Sequence, residues 1–331
     1  MVKARPIPGL IRHSLESATR SHALLRLILS SALVIFSATS ASADTVFVDD
    51  LDSDGRRPAV AAANVRVATD YSYFHRARTR ESFDPTPTTT ATLRAGEADF
   101  HAARAEVAAT VPLAHSLGLR GRARGSYNIG RRDLELFGAN RDDLDSGSYG
   151  VAGEIFLRDP ALGTIMMGSS YDRVDREDGI DIHEIGATAG AAIFFPDLGA
   201  GAVDWFVRFD FIHRDTSSPV ANTALGSDLY KVAGGAGWYL TDASKLVLGA
   251  RWVWADHESI AEQDIEGFMD FHWLIEAPIP VELVIGGSVG VSEYKEEPFP
   301  STDRLIYGGK VGLVFRFRSG ATLLDMARAY D

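Results

Sequence analysis

Arginine recurs at every second position in one short stretch of the chain. Arg120, Arg122 and Arg124 alternate there with Leu119, Gly121 and Ala123. Side chains on a β-strand point alternately to opposite faces, so a strand would align these three guanidinium groups in a row, whereas a helix would scatter them. A row of guanidinium groups binds or repels ions rather than making and breaking covalent bonds. The spacing therefore predicts electrostatic chemistry along one face of a strand.

The same alternation of apolar and polar residues recurs along most of the chain. A further clear example places Val203, Trp205, Val207, Phe209 and Phe211 on one face of a segment. We predict twelve such strands, which lie near residues 63–75, 99–111, 118–130, 147–158, 163–173, 183–195, 202–214, 229–240, 245–255, 265–276, 281–293 and 305–317. This pattern is typical of an all-β protein, and we predict a single antiparallel β-barrel over residues 62–317.

Composition excludes several other classes of protein. The 331 residues include 31 Gly and no Cys, and 46% of them are hydrophobic. A disordered chain, a disulfide scaffold and a thiolate metal site are therefore excluded. The formal net charge of −12 argues against a nucleic-acid partner, which would need a basic face.

A soluble β-sandwich would also alternate, but two features favour a barrel that spans a membrane. Connections alternate between short turns, such as 159–162 and 241–244, and longer polar loops, such as 131–146. Aromatic residues of the apolar faces gather near the two ends of the strands, as they do at the two interfaces of a membrane. We place Tyr71, Tyr73, Tyr127, Tyr149, Tyr171, Tyr230, Trp252, Trp254 and Tyr307 at the outer end, and Phe195, Trp205, Trp238, Trp273, Phe315 and Phe317 at the periplasmic end.

The first 43 residues have the pattern of a cleaved signal peptide. A basic region is followed by the apolar run 27–36 and by Ala41-Ser42-Ala43, a site of the type that signal peptidase cuts. An uncleaved anchor is the alternative, although the run is short for a membrane-spanning helix. We expect an exported protein with an acidic periplasmic leader at 44–61.

The last predicted strand ends in the sequence Lys310-Val311-Gly312-Leu313-Val314-Phe315-Arg316-Phe317. It resembles the C-terminal assembly signature of bacterial outer-membrane β-barrel proteins, with Lys310, Gly312, Phe315 and Phe317 in its four defined positions. The resemblance implies insertion by the outer-membrane assembly machinery and indicates no particular subfamily. The family usually ends at that aromatic residue, whereas this chain continues through 318–331, a periplasmic tail that could form a short amphipathic helix.

Charged residues at the polar positions of the strands are the candidate pore lining. Arg120, Arg122 and Arg124 are expected to face Glu266, Asp270 and Glu276 across the lumen, which would create a transverse field at a constriction. The alternative is that neighbouring strands pair these charges into an ionic plug. The candidate lining residues are Arg104, Arg120, Arg122, Arg124, Arg158, Arg208, Arg251, Glu106, Glu154, Asp210, Glu266, Asp270 and Glu276.

Two short motifs could carry other chemistry. His257-Glu258-Ser259 superficially resembles the His-x-Ser of outer-membrane lipid-modifying barrels, but the flanking sequence does not match. Asp50-Leu51-Asp52-Ser53-Asp54-Gly55 fits the first half of a calcium loop, but Ala61 stands where such a loop needs a bidentate Glu. We therefore expect no catalytic residues, no metal and no cofactor.

These patterns together predict a function. We expect a channel in the outer membrane of a Gram-negative bacterium for passive diffusion of small hydrophilic solutes through a narrow, charged lumen. Its expected partners are outer-membrane lipid and lipopolysaccharide, the assembly machinery and the solutes. A closed structural or adhesive barrel and a lipid-modifying enzyme are the alternatives.

Overall fold

Thirteen antiparallel β-strands and the short turns between some of them make up the described part of the chain. The computed structural model describes residues 64–78, 98–114, 116–134, 140–143, 145–159, 163–176, 181–195, 202–217, 224–257, 260–296, 302–317 and 323. The strands are β1 (Asn64–Arg78), β2 (Ala98–Pro112), β3 (Leu117–Leu134), β4 (Asn140–Asp143), β5 (Ser146–Asp159), β6 (Gly163–Arg176), β7 (Asp181–Phe195), β8 (Val203–Ser217), β9 (Ala224–Thr241), β10 (Ser244–His257), β11 (Ile260–Ile275), β12 (Val281–Glu296) and β13 (Thr302–Phe317).

Twelve of these strands close into a barrel. Each strand pairs with its neighbours in the chain, β3 pairs directly with β5, and the last strand, β13, returns to pair with β1. The closing register runs from Val65 opposite Phe317 to Arg78 opposite Arg304 without a shift. A closed barrel leaves no strand edge with unpaired backbone groups, which is the condition for a β-structure in lipid.

The twelve predicted strands are confirmed, and the observed strands are longer than the alternating segments. Strand β3, for example, continues past residue 130 to Leu134 and pairs there with β4 as a hairpin that the sequence pattern predicted as a loop. The extension includes Arg131, Arg132 and Asp133. Alternation marks only the part of a strand that has one apolar face, so it does not reveal a hairpin built from polar residues.

Large apolar side chains cover the outer surface of the barrel. Met167, Ile185 and Val289 are each more than half exposed, and all of them point away from the interior. The predicted aromatic positions also lie on this face: Tyr71, Tyr171, Trp252 and Tyr307 are exposed towards the long-loop end, and Trp205, Trp238 and Trp273 towards the short-turn end. An exposed apolar band between two aromatic girdles is the surface of a barrel that spans a membrane.

Several predicted segments lie outside the described residues. These are the signal peptide at 1–43, the acidic leader at 44–61 and the tail at 318–331, apart from Leu323, whose backbone is helical. In the part of the chain that the structure describes, no helix has the length and apolar character needed to cross a membrane.

The exposed apolar band predicts that a charged residue lowers the stability of the barrel more at a position within the band than at a position in a turn. Met269 lies in the middle of β11 and is 54% exposed on the outer face. Met269→Arg would place a guanidinium group in the hydrocarbon, so we expect the free energy of unfolding to fall by about 2–4 kcal/mol. Urea unfolding of the barrel in lipid vesicles measures this loss. The control is Ile279→Arg, in the exposed turn after β11, and an equal loss in both variants would contradict a lipid-facing band.

Candidate functional site: the charged interior of the barrel

Charged side chains line the interior of the barrel from one end to the other. The register places them on the face opposite the apolar band. Cationic groups outnumber carboxylates among the inward side chains that the structure describes: the cations are Arg66, Arg76, Arg104, Arg120, Arg122, Arg124, Arg158, Arg176, Arg208, Arg214, Lys231, Lys245, Arg251, Arg304, Lys310 and Arg316, and the carboxylates are Asp70, Glu106, Glu154, Asp172, Glu184, Asp204, Asp210, Glu262, Asp264, Glu266, Asp270 and Glu282.

Most of these charges form ion pairs with residues of the same strand or of strands up to three places away in the sheet. At the centre, Glu154 contacts Arg122 of β3 and lies 3.6 Å from Nη1 of Arg208. Arg124 reaches across β5 to Asp172 of β6, and its Nε donates a hydrogen bond of 2.7 Å to Oδ1. Paired and hydrogen-bonded charges tolerate burial, whereas a single buried charge does not.

The remaining central pairs follow the same rule. Arg208 donates from Nε to both carboxylate oxygens of Asp210, at 2.9 and 3.1 Å. Arg251 pairs with Glu266 on the neighbouring strand. Lys310 Nζ lies 2.8 Å from Oδ2 of Asp270.

Two compact polar clusters occupy the short-turn end of the interior. In the first, Glu282 accepts hydrogen bonds from Arg316, at 2.7 and 2.9 Å, and its other oxygen lies 2.5 Å from Nδ1 of His272. In the second, Asp204 accepts hydrogen bonds from Lys245 Nζ at 2.5 Å and from the hydroxyl of Tyr239 at 2.9 Å. These clusters hold both carboxylates close to the barrel wall.

The predicted opposition of charged rows across the lumen is not what the structure shows. The arginine ladder finds its carboxylates on β5 and β6, and the acidic residues of β11 pair with β10 and β13. Adjacent strands lie about 4.8 Å apart, so a lateral partner is within reach where one across the lumen is not. Glu276 is a further correction, because β11 ends at Ile275 and Glu276 lies exposed in the following turn.

The other predicted lining residues face inward with different contacts. Glu106 accepts a hydrogen bond of 2.6 Å from Arg66. Arg120 donates to Oγ1 of Thr110 at 3.1 Å, and its guanidinium carbon lies 5.8 Å from the centre of the Phe156 ring. Arg158 is buried and donates to Oγ1 of Thr164 at 3.0 Å. Arg104 is exposed and lies opposite Asp70 in the register.

Inward glycines lie directly opposite many of these large side chains. Asp172 pairs in register with Gly150, Glu154 with Gly168, and Glu266 with Gly290. A Cβ atom at any of these three glycines would overlap the acidic residue or its backbone neighbours. The absence of that atom lets a long side chain lie flat along the wall instead of projecting into the lumen.

Four inward phenylalanines are held in the same way. The cross-strand pairs are Gly118 with Phe156, Gly235 with Phe206, Gly249 with Phe268 and Gly308 with Phe74. Each ring lies over its glycine, and the ring also covers glycine backbone that would otherwise be exposed in the interior. The alternation of apolar and polar residues does not predict these positions, because an apolar side chain on a membrane-spanning strand is expected to face lipid. The sequence does contain a signal for them, since each of these phenylalanines stands at a position of its strand where the alternation calls for a polar residue.

Small cavities remain between these side chains. A central one, of about 90 Å³, is lined by Arg122, Arg124, Arg208 and Lys231 among others. A second, of about 220 Å³, lies at the short-turn end beside His272.

The wall of the second cavity includes Leu323 from the C-terminal tail. Leu323 is only 5% exposed and packs with Ala202, Tyr239 and Leu274. Its backbone N–H donates a hydrogen bond of 2.9 Å to the carbonyl of Asp242 in the turn between β9 and β10. The tail therefore contacts the interior at the mouth formed by the short turns.

The two motifs with other possible chemistry do not form a site within the described residues. His257 is the last residue of β10, and Glu258 and Ser259 lie outside those residues, as does the acidic segment 50–55. The absence of catalysis and of a metal therefore stays a prediction.

A closed ring of strands with an apolar exterior and a charged interior decides the class of protein. The chain is an outer-membrane β-barrel. Of the residues in the proposed assembly signature, Lys310 and Gly312 face inward, and Phe315 and Phe317 face outward at the short-turn end of the barrel. Short turns of this kind lie on the periplasmic side.

Comparisons with known proteins find similar structures but no sequence family. No family model and no curated protein matches the chain. The translocator domain of the autotransporter NalP from Neisseria meningitidis is 11% identical, with a TM-score of 0.45, over 91% of this chain and 98% of that domain. The β-domain of the Bordetella autotransporter BrkA is 10% identical, with a TM-score of 0.49, over 77% of this chain and 100% of that domain. A Pseudomonas aeruginosa FadL homologue is 9% identical, with a TM-score of 0.44, over 83% of this chain and 95% of that protein.

The glycine–phenylalanine pairs of this outer-membrane barrel predict a steric effect. Gly249→Ala would place a methyl group against the Phe268 ring, so we expect a loss of about 1–3 kcal/mol in the free energy of unfolding. The matched control is Gly121→Ala, since a Cβ at Gly121 has no neighbour within 4 Å. Urea unfolding of both variants in lipid vesicles measures the difference. A Cβ at Gly249 would also lie 2.7 Å from the carbonyl oxygen of Gly234, so Phe268→Ala should relieve only part of the loss in a double variant. No relief at all would contradict the contact with the ring.

Packing of Leu323 predicts that one substitution will release the tail. Burial of a leucine side chain stabilises a structure by about 1.5–3 kcal/mol, and Leu323→Asp would remove that contribution. We expect trypsin to cleave the folded variant faster at Arg318 and Arg328, the two arginines of the tail. Mass spectrometry of the digests reports the rate, and Leu323→Met is the conservative control. Equal cleavage of wild type and Leu323→Asp would contradict the packing.

Proposed function

We propose that this outer-membrane barrel is a channel for passive diffusion of small hydrophilic solutes through a narrow, charged lumen. The observation that carries the proposal is that glycines make room for large inward side chains at the barrel wall. Glycines opposite Asp172, Glu154 and Glu266 allow these side chains to lie along the wall. A barrel built only as a plug would have no need for such gaps, because large side chains that project inward would fill the interior.

Lateral ion pairs suit a lumen that must be both polar and stable. A pair such as Arg122–Glu154 satisfies both charges within the wall, so neither needs a permeating ion for compensation. The same groups still offer hydrogen-bond donors and acceptors to a solute that has lost part of its hydration shell. A solute that fits between these side chains would then cross down its own concentration gradient.

Two observations favour a closed barrel as the second candidate. Most inward charges of the described strands are paired, and Leu323 packs at the periplasmic mouth. A barrel that serves as an anchor or as a platform for its loops would need no continuous passage. A lipid-modifying enzyme has no comparable support.

Assembly and lipid contacts belong to the same proposal. The outward aromatic side chains of Phe315 and Phe317 at the end of β13 suit recognition by the outer-membrane assembly machinery. The exposed apolar band and its aromatic girdles suit contact with outer-membrane lipid and lipopolysaccharide.

Conductance of the purified barrel in a planar bilayer tests the channel. We expect discrete current steps, and we expect Arg122→Glu to increase the preference for cations over anions by about threefold or more, because it leaves two carboxylates together at the centre of the lumen. The reversal potential in a gradient of KCl measures this preference.

The control for Arg122→Glu is Glu276→Lys, a charge change of the same size in the exposed periplasmic turn. In about 1 M salt the screening length is about 3 Å, so the control should leave the reversal potential unchanged. A correctly folded barrel that gives no current, even as Leu323→Asp, would overturn the channel in favour of the closed barrel.

A further inference from the structure

One cation at the centre of the lumen has no partner in the ion-pair network. Lys231 lies on β9 and faces inward, directly opposite Asp210 of β8. The Asp210 carboxylate is bound instead by Nε of Arg208, at 2.9 and 3.1 Å. Among the residues that the structure describes, Lys231 forms neither a hydrogen bond nor an ion pair.

Two further inward carboxylates in this part of the barrel are also paired with other residues. Glu184 accepts hydrogen bonds from Arg214 at 2.5 and 2.8 Å. Asp172 accepts two hydrogen bonds from Arg124. The Lys231 ammonium group is therefore left without a fixed carboxylate partner, and an anion from solution could take that place.

Lys231 faces the central cavity together with three guanidinium groups, one carboxylate and several hydroxyl groups. Arg122, Arg124, Arg208, Asp210, Ser170 and Thr188 line the same space of about 90 Å³. A single buried water needs about 10–15 Å³ on this scale, so the space holds several waters or one small oxyanion. The remaining walls include Ala152, which has a small side chain, and Gly186, which has none, and these residues leave the cationic groups accessible.

The charge balance of this cavity favours an anion. Arg122, Arg124 and Arg208 are matched by Glu154, Asp172 and Asp210, which leaves the charge of Lys231 in excess. Guanidinium groups also match the geometry of oxyanions, since their parallel N–H donors bind two oxygen atoms at once.

We propose that the Lys231 cavity is a binding site for a small oxyanion, of the phosphate or carboxylate class, in the lumen of the barrel. The proposal rests on the proposed channel and names its substrate class: solutes that carry such a group would bind at this point on their way through. Lys231 supplies the uncompensated charge, and Arg122, Arg124 and Arg208 supply directional donors that keep their carboxylate partners.

Calorimetric titration of inorganic phosphate into the folded barrel in detergent tests the site without any need for current. We expect the wild-type barrel to bind phosphate and Lys231→Gln to bind it about tenfold more weakly, the usual effect of losing one charged hydrogen bond. The matched control is Arg173→Gln, which removes a cation on the outer face, where Arg173 pairs with Asp175 and Asp181. Equal binding by wild type and Lys231→Gln would overturn the site.

Ion selectivity separates this proposal from the channel itself. In a gradient of KCl we expect the wild-type barrel to prefer anions and Lys231→Glu to lose that preference. Millimolar phosphate should reduce the chloride current of the wild type but not of Lys231→Gln. A barrel that conducts with the same selectivity in all variants would overturn the anion site and leave the channel standing. A silent barrel whose phosphate binding depends on Lys231 would overturn the channel and keep the site.

Discussion

The structure depends on one constraint: in lipid, every backbone N–H and C=O must find a partner within the protein. The unbroken pairing of β1 with β13 meets this condition and leaves no open edge among the twelve strands. Closure then divides the side chains into two sets, because every second residue must face lipid and the others must share a confined interior. Met167, Ile185 and Val289 are among the residues that face lipid. The buried polar residues Glu154, Asp270 and Glu282 are among those that share the interior.

Charges within that interior destabilise the protein unless they are paired. This explains why the ion pairs form between nearby residues of the barrel wall. Arg122 with Glu154 and Lys310 with Asp270 form within the wall, where neighbouring strands bring partners into contact. Glycine at the opposite register position removes the steric conflict that long side chains would otherwise create. The outcome is a lumen whose charges are mostly neutralised locally, so that in the proposed channel an unpaired cation such as Lys231 would set the preference for anions.

The two ends of the interior are built differently from its centre. At the periplasmic end, two carboxylates are held by a cation and by His272 or Tyr239, beside the apolar group formed by Leu274, Ala202 and the tail residue Leu323. The proposed selection by charge thus belongs to the centre, whereas Leu323 adds an apolar contact at the periplasmic end. In the proposed channel the first feature would act on charge and the second on size.

Alternation alone determined most of the fold. It located twelve strands, assigned Met269 and Trp205 to the outer face and Arg122 and Glu154 to the inner one, because side-chain direction on a strand has a period of two regardless of what surrounds it. It could not extend β3 into its hairpin with β4, where both faces are polar, and it continued β11 to Glu276, one residue too far. Nor could it pair the charges: which carboxylate meets Arg124, why Lys231 has none, and which glycine lies under Phe268 depend on the register between paired strands. Only the closed sheet sets that register, because contact between side chains requires proximity in space, which a one-dimensional pattern does not contain.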